Sequence, residues 1–153
     1  MAKVLVIRLS AIGDVAMTVP VIYSAAKANP EDSFTVLTQA FLMPLFMNRP
    51  PNVEVIGINT KGAEKGLIGL LKFISALLKF DFDVILDLHN VIRTIIICTF
   101  FRLNGKRVFV LDKARKERKR LTAIKGKRLY PLRPVIVRYA DAVSYTHLTL
   151  PTT

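Results

Sequence analysis

The chain has 153 residues, of which 52% are hydrophobic, and a formal net charge of +12. This length and hydrophobic content predict one domain of ordinary size with a real core, and no apolar run reaches the about 20 residues of a membrane-spanning helix. The single cysteine, Cys98, excludes an internal disulfide framework, and with only two histidines no structural zinc site is expected. Residues 1–3 lead directly into a strand pattern, which predicts no signal peptide.

Apolar runs alternate with helical patterns along the chain. Five runs predict strands: residues 3–9, 34–38, 53–58, 83–89 and 107–111. The first is apolar almost throughout, as expected for a strand covered on both faces. Helical patterns separate them at residues 15–28, 40–47, 67–80 and 91–103. This alternation predicts an α/β fold with a doubly wound parallel sheet, for which we expect the strand order 3-2-1-4-5. Strands one and four are then neighbours at the switch point, where ligands bind outside the carboxyl ends.

Three helical features carry specific expectations. Pro20 lies inside the first helix, which should therefore be kinked near Ala16 or begin later, with Thr18 as its cap. The helix predicted over residues 91–103 is expected to end at Asn104-Gly105, since glycine permits a left-handed stop. In residues 67–80, apolar side chains spaced by three and four predict one core-facing side, or alternatively a membrane-surface helix: Leu67, Leu70, Leu71, Ile74, Leu77 and Leu78.

The loop after the first strand carries the first candidate site residues. Asp14, at the start of a helix, is either a proton acceptor or a helix cap. Gly13 permits close approach of a ligand to the backbone, or a tight turn. Ser10 either donates to a phosphate or hydroxyl, or satisfies the loop backbone. Because this loop has a single glycine, it matches neither a dinucleotide fingerprint nor a P-loop, and we expect no nucleotide cofactor.

The loop after the fourth strand carries the second group of candidates. Asp87 points to the opposite face from its apolar neighbours and is expected to be a buried, hydrogen-bonded structural acid. His89, at the strand end, either contacts substrate or is a satisfied structural residue. Arg93 falls on the first turn of a helix, where a cation opposes the helix dipole, so a nearby anionic ligand would explain it.

Four stretches together resemble glycosyltransferase family 9, the heptosyltransferases that extend the lipopolysaccharide inner core. The S-x-x-G-D-x-x-x-T-x-P order in the first of them is fairly specific. The resemblance reaches along nearly the whole chain to residue 142, through RLSAIGDVAMTVPVI at 8–22, FDFDVILDLHNVIRT at 80–94, RLNGKRV at 102–108 and RPVIVRYADA at 133–142.

The resemblance implies a GT-B fold, in which two Rossmann-like domains face each other across a cleft, and an inverting, metal-independent reaction. The aspartate matching Asp14 would be the base that deprotonates the acceptor hydroxyl. The N-terminal domain would bind a phosphorylated lipopolysaccharide core acceptor and the C-terminal domain most of an ADP-heptose donor. Asn90 replaces a glycine common in the family, and asparagine tolerates positive φ better than most residues. The residues expected to line the cleft are Ser10, Gly13, His89, Asn90 and Arg93.

Members of this family are roughly twice as long as this chain. Residues 1–142 are therefore interpreted as the acceptor-side Rossmann-like domain of a truncated glycosyltransferase, which alone is predicted to be inactive. Residues 143–153, VSYTHLTLPTT, resemble a translated sequencing adapter and are interpreted as a non-native tail. The resemblance implies a cytoplasmic location, peripheral to the inner face of the inner membrane.

The excess positive charge lies in one segment. Residues 102–138 hold fourteen of the 23 basic and two of the 11 acidic residues, so the rest of the chain is balanced. Residues 113–128 could attract a phosphorylated acceptor or an anionic membrane surface, or form a solvated loop. Nucleic acid is disfavoured because residues 112–138 contain only one aromatic residue for stacking, Tyr130, and because no nucleic-acid module is recognised. The alternative function is a non-catalytic Rossmann-like module that binds anionic lipid or RNA through this segment.

Overall fold

A five-stranded sheet forms the centre of the computed structural model, which describes residues 1–62 and 64–111. The predictions for residues 112–153, including the basic segment and the tail, lie outside these residues. The strands are β1 (Lys3–Ile7), β2 (Ser33–Gln39), β3 (Val53–Ile58), β4 (Val84–Asp87) and β5 (Arg107–Val110). The helices are α1 (Ile12–Ala28), α2 (Leu67–Leu78) and α3 (Ile92–Leu103), and a 3₁₀ helix, Ala40–Leu45, follows β2.

The strands are all parallel and lie in the order β3-β2-β1-β4-β5, which confirms the predicted doubly wound topology. β1 lies between β2 and β4, and its last residue, Ile7, is in register with Leu37 on one side and Asp87 on the other. The carboxyl ends of β1 and β4 are therefore adjacent, as a switch point requires.

Helices cover both faces of the sheet. On one face, α1 and the 3₁₀ helix pack against alternate strand residues, among them Val4, Val6, Phe34 and Val36. On the other face, α2 and α3 pack against the intervening residues, among them Leu5, Ile7, Leu37 and Ile85. Side chains of the inner strands β1, β2 and β4 are buried on both faces, whereas the edge strands β3 and β5 are partly exposed.

Helix α1 differs from its prediction at the N-terminal end. It begins at Ile12 and includes Pro20, and Thr18 is a buried residue inside the helix whose hydroxyl donates to the Val15 carbonyl at 2.6 Å. The expectation that Thr18 caps the helix is therefore wrong. Burial of Val15 and Ile22 against the sheet stabilises the segment on both sides of the proline, and this packing outweighs the missing proline N–H.

Helix α2 buries a narrower stripe than its sequence predicts. Leu70, Ile74 and Leu77 are at most 4% exposed. In contrast, Leu67 is 62% exposed and Leu71 39% exposed, so the expectation that all six apolar residues face the core is wrong for these two. Spacings of three and four allow a wide stripe, but a helix lying on a sheet buries only the side nearest the strands.

Helix α3 is delimited by local hydrogen bonds. At its start, the Thr94 hydroxyl accepts from the Val91 N–H and donates to the Val91 carbonyl, each at 3.0 Å. At its end, Gly105 has φ +74°, which confirms the predicted left-handed stop. None of the helices within residues 1–62 and 64–111 combines the length and apolar character needed to cross a membrane.

Candidate functional site

A buried arginine, paired with a partly exposed aspartate, links the two loops at the switch point. Arg8 directly follows β1 and is 8% exposed. Its Nη2 lies 2.6 Å from Oδ2 of Asp14, and its Nη1 donates to the carbonyl of Leu88 at 2.7 Å. One guanidinium group therefore contacts both the first turn of α1 and the chain just beyond β4.

Asp14 does not cap the helix in which it lies. The N-cap position of α1 is Ala11, and no side-chain hydrogen bond caps the helix there. The Asp14 carboxylate pairs with Arg8 instead, and its side chain remains 39% exposed. The capping alternative is therefore wrong, and the carboxylate is accessible to a molecule above the edge of the sheet.

Ser10 and His89 bring the two loops together directly. The Ser10 hydroxyl oxygen lies 3.4 Å from Nε2 of His89, across 79 positions of sequence. Both side chains are partly exposed, and a hydroxyl and an imidazole can each donate or accept a hydrogen bond. The two loops therefore lie next to each other, as the predicted strand order requires.

Gly13 lies in the first turn of α1 and leaves open space beside the backbone. A Cβ atom added there would meet nothing within 4 Å. The residue is part of a helix and not of a tight turn, so the turn alternative is wrong. What the glycine provides is backbone without a side chain next to Asp14, which permits close approach of a ligand.

Asp87 fixes the backbone conformation of the loop that follows β4. It is completely buried, and its Oδ1 accepts the backbone N–H groups of His89 and Asn90, each at 2.9 Å. Asn90 has φ +50°, a left-handed conformation that asparagine tolerates. Both sequence expectations, a structural acid at 87 and a tolerant residue at 90, are confirmed.

Arg93 has a protein partner where the sequence suggested an anionic ligand. Its Nη1 donates to the main-chain carbonyl of Glu64 at 2.8 Å, which ties the start of α3 to the loop before α2. Beside it, a groove of about 670 Å³ separates the N-terminal ends of α2 and α3, and both Asn90 and Arg93 line it. Of the residues predicted to line one cleft, Asn90 and Arg93 line this groove, whereas Ser10, Gly13 and His89 do not.

The thiol of Cys98 lies next to Asp87, the last residue of β4. Its Sγ is 3.9 Å from Oδ2 of Asp87, and the residue is 1% exposed. Burial, and secondarily the negative charge of Asp87, raises the pKa of Cys98 to about 12. A thiol that ionises only at such a pH is a poor nucleophile near neutrality.

Cys98 in the native chain should therefore resist thiol reagents. At pH 8, the raised pKa alone should slow the reaction with Ellman's reagent about a thousandfold relative to the chain in 6 M guanidinium chloride, because the thiolate is the reacting form. The rate should rise with pH toward 12. Release of one thiol equivalent in denaturant is the control, and equal rates in the two conditions would contradict the burial of Cys98.

Metal ligands do not cluster in this part of the chain. Within residues 1–62 and 64–111, no group of three or more His, Cys, Asp or Glu side chains is placed to hold a metal ion. The polar groups at the switch point include those of Arg8, Ser10, Asp14 and His89.

Sequence reasoning did not assign a role to Arg8. The signal was present, since a single charged residue interrupts the apolar run that ends the first strand, six residues before an acid. A buried cation requires a partner. Pairing Arg8 with Asp14 from that rule would have placed the carboxylate beside the strand end.

Three solved structures are similar to the chain over most of its length. A glycosyl transferase of family 9 from Veillonella parvula matches 97% of this chain and 42% of its own, with TM-score 0.68 and 20% identity. The E. coli heptosyltransferase WaaC, solved with ADP-2-deoxy-2-fluoro heptose, matches 99% and 50%, with TM-score 0.67 and 19% identity. The E. coli ADP-heptose LPS heptosyltransferase II matches 92% and 40%, with TM-score 0.61 and 21% identity.

The chain has the Rossmann-like fold of one half of these glycosyltransferases. It spans about half of their length or somewhat less. No protein-family model matches the chain, and no curated protein sequence matches it. The resemblance to heptosyltransferases predicted from the sequence is thus confirmed at the level of the fold.

Proposed function

We propose that this chain is the acceptor-side half of a glycosyltransferase of the heptosyltransferase type, with Asp14 as its catalytic base. One observation carries the proposal: a half-exposed carboxylate, fixed by Arg8, lies where two loops meet at the switch point of a sheet shared with solved heptosyltransferases. Ligands bind at such points in doubly wound sheets.

The proposed reaction transfers a sugar with inversion and without a metal. The acceptor hydroxyl oxygen attacks the anomeric carbon of the donor, and its proton passes to the Asp14 carboxylate. The bond between that carbon and the phosphate oxygen breaks, and the nucleoside diphosphate departs with the bonding electrons. A carboxylate in hydrogen-bond reach of the hydroxyl provides general base catalysis.

Arg8 acts in this proposal as a positioning residue. It contacts Oδ2 of Asp14 and the Leu88 carbonyl at the same time, so the carboxylate is held at a fixed position relative to β4. A base held in the productive geometry raises the reaction rate, because less orientational freedom is lost on reaching the transition state. Ser10, Gly13, His89, Asn90 and Arg93 would form the walls that contact substrate.

The proposed substrates are ADP-heptose and a phosphorylated lipopolysaccharide core acceptor. The donor is suggested by the E. coli heptosyltransferase solved with an ADP-heptose analogue, and most of its binding would fall to a second Rossmann-like half. Such a reaction would take place in the cytoplasm, at the inner face of the inner membrane. On its own, the chain should not transfer sugar.

The test joins the chain to the second half of a heptosyltransferase and measures ADP formation. We expect ADP release from ADP-heptose that requires a Kdo-lipid A acceptor and exceeds that of the second half alone. Cooperative thermal unfolding of the fusion is the control for folding. A folded fusion that releases no ADP with acceptor, while the chain alone binds RNA, would favour the non-catalytic module instead.

A further inference from the structure

The hydrogen bond between Ser10 and His89 can run in either direction. The Ser10 hydroxyl oxygen lies 3.4 Å from Nε2 of His89. A neutral imidazole with its hydrogen on Nδ1 accepts at Nε2, so that Ser10 donates and turns its lone pairs outward. A protonated imidazole can only donate, so that Ser10 accepts and its O–H hydrogen points elsewhere. The proton on His89 therefore decides whether Ser10 offers a donor to a third molecule.

The pair lies where a ligand can reach it. Both side chains are partly exposed, and they follow the adjacent carboxyl ends of β1 and β4. Doubly wound sheets bind ligands at this position. The backbone at His89 is fixed, because Oδ1 of Asp87 accepts its N–H at 2.9 Å. Histidine ordinarily titrates near pH 6.5, so a change in the direction of the hydrogen bond falls within the range of about pH 5 to 8.

The fixed charges around the pair offset one another. Among the described residues, two arginines and two aspartates lie on the segments that meet at the switch point, with a net charge of zero. A proton on His89 therefore adds an uncompensated positive charge. The thiol of Cys98, whose pKa is raised to about 12, stays neutral in this range. The four charged groups are those of Arg8 after β1, Asp14 of α1, Asp87 of β4 and Arg93 of α3.

We propose that Ser10 and His89 bind a phosphate-type oxyanion of the acceptor, and that they bind it when His89 is protonated. In that state Ser10 donates its hydroxyl hydrogen to the anion, and the imidazolium charge lies next to it. When His89 is neutral and accepts from Ser10, the Ser10 lone pairs face the anion and repel it. His89 is thus a positioning residue that acts through Ser10. The identity of the ligand rests on the proposed function, but its binding does not require sugar transfer.

The direction of the pH effect follows from this arrangement. Protonation supplies both a hydrogen-bond donor and a positive charge, and hydrogen bonds to charged groups are roughly twice as strong as those between neutral groups. Anion binding at Ser10 should therefore weaken as pH rises and His89 loses its proton. A neutral sugar that presents hydroxyl groups can donate and accept, so its binding should depend little on the proton.

The small number of histidines allows a direct test on the chain itself. The chain has two, and His147→Gln leaves His89 as the one histidine. In this background, ¹⁵N NMR of histidine-labelled chain reports the protonation of His89 and its response to sulfate. Sulfate is the probe because its charge stays constant between about pH 5.5 and 8, the range in which histidine titrates. Ser10→Ala removes the hydroxyl, and Ser24→Ala, at an exposed position of α1, is the matched control.

We expect sulfate to bind about tenfold more tightly at the lower pH, the difference made by a charge-assisted hydrogen bond. Ser10→Ala should lose most of this difference and Ser24→Ala should keep it. His89→Gln, followed through the backbone amide of Gly13, should bind sulfate equally at both pH values, since a side-chain amide N–H donates at either pH. Circular dichroism checks the folding of each variant.

Two results would overturn the proposal: equal sulfate affinity at the two pH values with His89 present, or unchanged binding in a folded Ser10→Ala variant. The outcome is separate from that of the fusion with a second half. Sulfate binding that depends on Ser10 and on the proton of His89, together with a fusion that releases no ADP, would support the anion site and remove only the proposed sugar transfer.

Discussion

Asp14→Asn should lower sugar transfer about a hundred- to ten-thousand-fold, since removal of a general base has effects of this size. The measurement is acceptor-dependent ADP release by the fusion that carries the second half of a heptosyltransferase. Asparagine keeps the size of the side chain and an oxygen that can accept from Arg8, so the fold should persist. The expected loss of sugar transfer would therefore come from the loss of the proton acceptor and not from a change of the fold.

Glu31→Gln is the matched control for Asp14→Asn. Glu31 lies in the exposed turn after α1, away from the carboxyl ends of the strands, and its conversion to an amide should leave ADP release unchanged. Full activity of the Asp14→Asn variant, in a fusion as stable as the wild type, would remove Asp14 from the mechanism. The assignment of the fold would be unaffected.

Arg8→Met should destabilise the chain by about 1–3 kcal/mol, because the Leu88 carbonyl and the Asp14 carboxylate each lose a hydrogen-bond donor. The side chain of Asp14 is 39% exposed and can still be hydrated, so the full penalty of breaking a buried pair does not apply. Chemical denaturation with circular dichroism measures the change in unfolding free energy.

Arg8→Lys separates positioning from folding. Lysine restores a cation but lacks the two nitrogens, fixed in one plane, with which Arg8 contacts Asp14 and Leu88 at the same time. It should therefore recover most of the stability and only part of the rate. In the fusion, the remaining deficit should fall on kcat and leave KM for the acceptor nearly unchanged. Equal recovery of stability and rate would mean that Arg8 serves the fold alone.

The topology could be predicted from the sequence because short, mostly apolar strand patterns alternate with helical ones, and helices between strands require parallel crossovers. The left-handed conformation of Gly105 was predicted from its place at a helix end, and tolerance of it at Asn90 from the glycine that the resembled family has there. Asn48 and Asp81 are also left-handed and were not predicted.

The ion pair and the true start of α1 depend on contacts between segments. Asp14 by itself has the position of a helix cap, and only the neighbouring strand end shows that its partner is Arg8. Thr18 likewise resembles a cap before Pro20, but packing of the helix on the sheet decides where the helix begins. Local pattern alone could not supply either answer.

The hydrogen bonds around Asp87 and Arg8 have a consequence for the thermodynamics of binding. Both side chains fix main-chain atoms of the loop after β4, through the N–H groups of His89 and Asn90 and the carbonyl of Leu88. The backbone of this loop is therefore already ordered before a ligand binds, and little conformational entropy remains to be lost on association. The affinity of a ligand at this loop should therefore depend on the contacts that it makes, and the backbone should rearrange little on binding.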